Sequence, residues 1–75
     1  MKLEQVVGTA VRTIRISRGL TQVDLARAAN IDLRYLGSIE RGRGNPTVAM
    51  LGRLGSALSV HPKYFLESPH PVQSE

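Results

Sequence analysis

Arginine is the side chain whose number and placement in this sequence suggest a binding function. Eight of the ten basic residues are arginines, and all eight lie between residues 12 and 53. Only three acids share that segment, which gives it a net charge of +5. Guanidinium groups bind phosphate and guanine through paired hydrogen bonds, so this placement is compatible with nucleic-acid binding. A basic surface that is only solvated would carry the same charge, and both interpretations stay open on charge alone.

The segment from Leu33 to Arg41 places two of these arginines beside two small residues. One side of a helix, at about 100° per residue, carries Arg34, Gly37, Ser38 and Arg41. Glycine inside a helix costs about 0.5–1 kcal/mol relative to alanine, so Gly37 needs a physical reason. Close approach of the helix to the floor of a nucleic-acid groove is one reason, and a local packing requirement is another.

No pattern typical of an enzyme, a metal site or a membrane protein occurs in the sequence. The chain has no cysteine, and its two histidines are nine residues apart, so we expect no metal and no cofactor. The absence of a nucleophile–base pattern and of a phosphate-binding glycine loop predicts no enzymatic activity and no small-molecule ligand. No apolar run approaches the roughly 18 residues of a membrane span, and no signal-peptide pattern occurs. We therefore expect a cytoplasmic protein that does not bind membranes.

Hydrophobic periodicity and capping residues predict five helices and no strand. The expected helices cover residues 2–18, 22–29, 33–41 and 48–58, and a short fifth helix begins at Pro62. The expected N-caps of the last four helices are Thr21, Asp32, Thr47 and His61. Since only about three residues separate the second and third helices, the two form a helix-turn-helix. The predicted fold is all-α, a compact five-helix bundle that contains this helix-turn-helix.

A chain of 75 residues has room for one domain, which we assign to residues 1–67. The remaining residues, 68–75, are polar and broken by proline, and we expect them to be disordered. Such a small domain buries only about 60% of its unfolded surface and commonly needs a disulfide, a metal or a partner. With the first two excluded, self-association remains, and we expect a homodimer.

The C-terminal part of the domain is the predicted dimer interface, because it is more apolar than a free surface should be. The residues assigned to it are Val60, Tyr64, Phe65 and Leu66. For Val60 and Phe65 a second interpretation is open, in which both side chains close the small core.

Three short motifs give the sequence a family resemblance. They are Gly19-Leu20-Thr21-Gln22 followed by Leu25-Ala26, then Tyr35-Leu36 followed by Ile39-Glu40-Arg41-Gly42, and finally Asn45-Pro46-Thr47. With these spacings, residues 4–66 resemble the Cro/repressor-type (Xre-type) helix-turn-helix family, whose fold is the lambda-repressor-like DNA-binding domain. Within that family, the second and third motifs most resemble the small controller proteins of restriction–modification systems.

The resemblance implies a transcriptional regulator that binds double-stranded DNA sequence-specifically, as a homodimer on a near-palindromic operator. Phage-type repressors and antitoxins share much of the same pattern. The alternative function is therefore an antitoxin-type module that binds DNA and also holds a toxin as its protein partner.

The resemblance also implies that the third helix enters the major groove while the second lies across the DNA backbone. The family's base-reading positions fall on Leu33, Arg34, Gly37 and Ser38. Its phosphate-contacting positions fall on Gln22, Tyr35, Arg41, Arg43 and Asn45. Relatives usually carry a polar or basic residue at the position of Leu33, so we expect Leu33 to contact a thymine methyl group and Arg34 to be the main reader of guanine. Tyr35 is also open to interpretation as a half-buried core aromatic.

The family pattern pairs Glu40 with an arginine of the first helix, which here is Arg15. At about 340° on the helical wheel, Glu40 lies at the core-facing margin of the third helix, which suits a structural ion pair better than a catalytic acid. The alternative is a surface glutamate whose partner is Arg41 or Arg43.

Overall fold

Four α-helices and one short 3-10 helix make up the protein in a computed structural model, which describes residues 2–67. The elements are α1 (Leu3–Ser17), α2 (Gln22–Ala29), α3 (Leu33–Glu40), α4 (Val48–Leu58) and the 3-10 helix (Pro62–Leu66). The predicted all-α class is confirmed. Among residues 2–67, no helix is both long enough and apolar enough to cross a membrane. The expectation that residues 68–75 are disordered lies outside the described residues.

The prediction of five α-helices is wrong by one, because the last element is a 3-10 helix. Its first turn is closed by a hydrogen bond from Tyr64 N to His61 O at 3.0 Å, which spans three residues rather than four. Five residues that begin with a proline form few α-helical bonds, and the tighter 3-10 turn is common in segments of this length. His61 is the predicted N-cap, and its Nδ1 accepts a hydrogen bond from Lys63 N at 3.0 Å.

Local capping bonds define the helix-turn-helix. Thr21 Oγ1 accepts from Asp24 N at 3.0 Å, and Asp24 Oδ2 accepts from Thr21 N at 3.0 Å, so α2 begins with a capping box. Asn30 ends α2 in the left-handed region at φ +57°. Asp32 Oδ1 then accepts from Arg34 N at 2.7 Å and begins α3. The turn between the two helices is therefore defined by the left-handed backbone of Asn30 and by the side-chain cap of Asp32.

An aliphatic core holds α3 in place from behind. The side chains with the least exposure are Val11, Leu25, Leu36, Ile39, Leu54, Leu58 and Phe65. α1 crosses closest to α3 at Gly8, where a Cβ atom would overlap the carbonyl oxygen of Ile39. Only glycine permits this approach, which brings α1 against the C-terminal end of α3.

The capping box of α2 should make the stability of the protein depend on acid pH. The hydrogen bond from the backbone N–H of Thr21, together with the Thr21 hydroxyl, holds the pKa of Asp24 below its ordinary value of 3.8, because it favours the charged carboxylate. A lowered folded-state pKa contributes stability above the unfolded-state pKa, and this stability is lost as the pH falls through the folded-state value. In urea unfolding, Asp24→Asn should be less stable than the wild type at neutral pH, and the difference should shrink below about pH 4.

Glu67→Gln is the control for this prediction, because it removes an exposed carboxylate from outside the helices. Its stability should follow that of the wild type across the same pH range. A difference between Asp24→Asn and the wild type that stays constant from neutral to acid pH would contradict the role given to Asp24.

Candidate nucleic-acid interface

Arg15 of α1 and Glu40, the last residue of α3, form a buried ion pair. Arg15 Nε donates to Glu40 Oε2 at 2.7 Å, and Arg15 Nη2 donates to Glu40 Oε1 at 3.0 Å. Only 11% of the Arg15 side chain and 2% of the Glu40 side chain are exposed. Paired hydrogen bonds of this kind fix orientation as well as distance, so the contact locks α1 to the C-terminal end of α3.

The same two side chains hold the beginning of α2. Arg15 Nη1 donates to the carbonyl oxygen of Leu20 at 2.8 Å, and Gln22 Nε2 donates to Glu40 Oε1 at 3.0 Å. One carboxylate therefore joins α1, α2 and α3. Sequence reasoning missed the bond between Gln22 and Glu40, since the residues are 18 positions apart and no local pattern relates them. The amide of Gln22 keeps a second hydrogen that is available to an outside anion.

The four predicted base-reading residues of α3 differ in exposure. Leu33 is 43% exposed, Arg34 is exposed, Ser38 is half-buried and Gly37 is buried beneath the side chain of Arg41. Arg34 is the second residue of α3. Within residues 2–67 its guanidinium has no hydrogen-bond partner, so all its donors are available to an outside acceptor.

The loop after α3 folds back against the end of that helix. The backbone N–H groups of Arg43 and Gly44 both donate to the Ser38 carbonyl oxygen, at 3.0 and 3.1 Å. Gly42 makes the reversal possible with φ at +79°, in the left-handed region. The fold thereby presents three predicted phosphate-contacting side chains, all exposed, at the C-terminal end of α3: Arg41, Arg43 and Asn45.

Tyr35, the remaining predicted phosphate-contacting residue, is half-buried and packs against the core. Its ring therefore supports the packing of α3. A phenolic hydroxyl at the edge of such a ring can still bond to a partner outside the chain.

The side chains of three of the eight arginines make hydrogen bonds among residues 2–67. Besides Arg15, Arg18 Nε donates to the Leu58 carbonyl oxygen at 2.9 Å, and Arg53 Nη1 donates to the Asn30 carbonyl oxygen at 3.3 Å. Both acceptors lie at the end of a helix, where carbonyl groups lack a partner within the helix. The other five arginines are exposed and make no side-chain hydrogen bond or ion pair among residues 2–67: Arg12, Arg27, Arg34, Arg41 and Arg43.

One of the four residues assigned to a dimer interface belongs to the core instead. Phe65 is 0% exposed, which agrees with the second interpretation, in which its side chain closes the small core. With few large side chains elsewhere, the small core uses the Phe65 ring to fill the space beside α1 and α4. Val60 is half-buried and also packs on the core, whereas Tyr64 and Leu66 are 45% and 48% exposed.

Comparisons with known proteins agree with this geometry. The model of a family described as helix-turn-helix matches residues 11–65. The chain is 40% identical over 60 residues to y4dJ, an uncharacterized HTH-type transcriptional regulator of Sinorhizobium fredii, a match that covers 80% of this chain and 78% of y4dJ. It is 44% identical over 54 residues to the immunity repressor protein of Bacillus phage phi105, covering 72% of this chain but only 38% of that repressor.

A solved structure of similar shape is that of the restriction-modification controller protein C.AhdI from Aeromonas hydrophila. The TM-score is 0.80 at 31% sequence identity, and the match covers 83% of this chain and 94% of C.AhdI.

Removing Glu40 should strongly destabilise the fold. Glu40→Ala leaves the buried Arg15 guanidinium without its counter-charge, which costs about 3–5 kcal/mol in the free energy of unfolding. The double variant Arg15→Ala/Glu40→Ala should lose less than the sum of the two single losses, because neither charge is then left alone. Urea unfolding of all three variants measures this coupling.

Glu67→Ala is the matched control, since Glu67 is exposed, and it should change stability by less than about 0.5 kcal/mol. A melting temperature of Glu40→Ala equal to that of the wild type would show that the ion pair has no structural role.

Proposed function

The chain belongs to the Xre-type helix-turn-helix family of DNA-binding transcription regulators, and from this premise we propose that it binds a near-palindromic operator as a homodimer. The observation that carries the proposal is the exposed face of α3. This face presents arginines without partners among residues 2–67, on a helix that the buried Glu40 carboxylate ties to α1 and α2. An α-helix fits the major groove of B-DNA, which is about 12 Å wide.

In the proposed complex, α3 lies in the major groove and four residues read bases. Arg34 donates two guanidinium hydrogen bonds to guanine O6 and N7, and Leu33 contacts a thymine methyl group. Ser38 adds a secondary hydrogen bond. Gly37 has no side chain and allows the helix to come close to the bases.

The proposed contacts to the DNA backbone surround this helix. Gln22 offers its free amide hydrogen together with the N–H groups of the first turn of α2, which favour an anion. Tyr35, Arg43 and Asn45 offer their polar ends from α3 and its following loop. Arg41, the fifth predicted phosphate-contacting residue, directly follows the last residue of α3. Such contacts set the register on the duplex and make binding sensitive to salt.

The proposed dimer interface combines the 3-10 helix with the beginning of α1. Leu66 is 48% exposed and Leu3 is 58% exposed, and both line a cavity of about 200 Å³ together with the apolar residues Val7, Pro46 and Leu51 and the polar residues Glu4 and Asn45. Tyr64 is 45% exposed and Val60 is half-buried, and the proposed interface includes both, while Phe65 lies in the core. A palindromic site requires the two recognition helices of the proposed dimer to lie about 34 Å apart, which is one turn of DNA.

We further propose that the chain controls a restriction–modification system, as the name of C.AhdI says of that protein. The support is the similarity to C.AhdI, with a TM-score of 0.80 at 31% sequence identity over 83% of this chain, together with the resemblance of the second and third sequence motifs to those of controller proteins. A methyltransferase or endonuclease reading frame beside the gene would support this setting. A toxin-like reading frame would favour an antitoxin instead.

Selection from random duplexes at near-physiological salt tests the DNA-binding proposal. The wild type should select a palindrome whose half-sites are one turn apart, and Arg34→Ala should lose its preference at one base pair in each half-site, about a 1–3 kcal/mol effect. The logarithm of affinity should fall linearly with the logarithm of salt concentration, since each phosphate contact contributes about −0.9 to the slope. A selection that enriches no sequence over the starting pool of random duplexes would contradict the proposal. Arg12→Ala is the control and should keep the full consensus, because it removes the same charge from an exposed position of α1.

Leu66→Asp should separate the dimer into monomers, because a carboxylate cannot be buried in an apolar interface without a partner. Sedimentation equilibrium measures the dissociation constant of the dimer, and the substituted residue is exposed, so the fold should survive. Val48→Asp is the matched control at an 86% exposed position and should leave the dimer intact. An unchanged dimer in Leu66→Asp would exclude this surface as the interface.

A further inference from the structure

We propose that Arg41 reads a base pair through the space left by Gly37, so that the two residues act together as one base-reading position. This inference rests on the proposed placement of α3 in the major groove. It changes the role of Arg41, which the family resemblance assigned to a phosphate, and it gives Gly37 a specific function.

The first observation is the position of the Arg41 guanidinium. A Cβ atom built on Gly37 would lie 3.2 Å from Arg41 Nη1. Apart from the chain neighbours Leu36 and Ser38 and the nearby helix backbone, no other atom lies within 4 Å of that Cβ position. The arginine side chain therefore borders the space that a side chain at position 37 would take.

The second observation is that Gly37 is buried although it belongs to the outer side of α3. Positions 37 and 41 are one helical turn apart and lie on the same side of the helix. The Arg41 guanidinium is the group that comes near the Cβ position of Gly37. The Arg41 side chain therefore lies back along α3. It does not extend away from the helix end toward the flanks of a groove.

The third observation is that this guanidinium has no partner within residues 2–67. Its neighbour Glu40 binds Arg15 and Gln22 with its carboxylate oxygens. Arg15, Arg18 and Arg53 each bond to an acceptor in the chain, whereas Arg41 makes no such side-chain bond and is exposed. All its donors are free for a ligand.

Together these observations select a base rather than a phosphate. A flat guanidinium that lies along the outer side of a recognition helix stands between that helix and the floor of the major groove. There, the acceptor pair that matches its two donors is guanine O6 and N7. A phosphate contact would require the side chain to leave the helix surface toward the rim of the groove.

The test compares Gly37→Ala, Arg41→Ala, Arg41→Lys and the double variant Gly37→Ala/Arg41→Ala. Alanine favours the helix more than glycine does, so Gly37→Ala should unfold at a temperature no lower than the wild type. Its methyl group would require the guanidinium, 3.2 Å from the Cβ position, to shift by a few tenths of an ångström, and paired hydrogen bonds to guanine depend on geometry as well as on distance. Lysine keeps the charge for a phosphate but cannot form the paired bonds to guanine.

Affinities are measured for the selected operator and for duplexes with one base pair changed at a time. Gly37→Ala, Arg41→Ala and Arg41→Lys should all lose about tenfold or more discrimination at the same base pair of each half-site. The double variant should lose no more than Arg41→Ala alone, because both changes remove one contact. Arg34→Ala is the matched control and should lose discrimination at a different base pair.

Two results would overturn this inference and leave the proposed function standing. The first is an Arg41→Ala variant that weakens every duplex equally and reduces the salt slope by about one, with recovery in Arg41→Lys, as expected of a phosphate contact. The second is a folded Gly37→Ala variant with the wild-type base preferences. A wild-type protein that prefers no duplex would overturn the proposed function and this inference with it.

Discussion

The buried carboxylate of Glu40 is the interaction on which the arrangement of the DNA-binding face depends. It accepts hydrogen bonds from Arg15 of α1 and from Gln22 of α2, and it belongs to the last turn of α3. Burying such a group costs free energy unless both oxygens are satisfied, and here both are. Because the bonds are directional, the carboxylate is satisfied only when the three helices stand in one relative orientation. The ion pair therefore specifies a geometry as well as contributing stability.

Gln22 connects this structural network to the proposed interface. Its amide donates one hydrogen to Glu40 and retains another for an anion outside the chain. A side chain held in this way loses less rotamer freedom when it binds a phosphate than a fully mobile one would. In the proposed complex, the residue that bonds to α3 through Glu40 would therefore also contact the DNA backbone at the start of α2.

The arginines divide into a structural set and a free set, which the net charge does not reveal. Arg15, Arg18 and Arg53 satisfy acceptors of the chain itself, so part of the +5 charge serves the fold. Arg34, Arg41 and Arg43 remain without partners among residues 2–67, on α3 or directly after it. The exposed residues Leu3, Tyr64 and Leu66 belong to the proposed dimer interface. A domain too small for high specificity alone would then have one surface for DNA and another for pairing.

The sequence by itself determined the class of fold, the boundaries of the helices to within about one residue, and the caps of the helix-turn-helix. Thr21, Asp32 and His61 could be identified as caps because each bond closes within three residues, so the local sequence contains both partners. The spacing of the motifs, through the family resemblance, also indicated the pairing of Arg15 with Glu40.

Only the tertiary structure decided that Gln22 joins that pair, that Arg18 and Arg53 bind carbonyl groups, that Phe65 lies in the core and that Arg41 covers Gly37. Most of these contacts link positions that are far apart in the chain. The last depends on which way one long side chain turns, and helical spacing alone leaves that direction open.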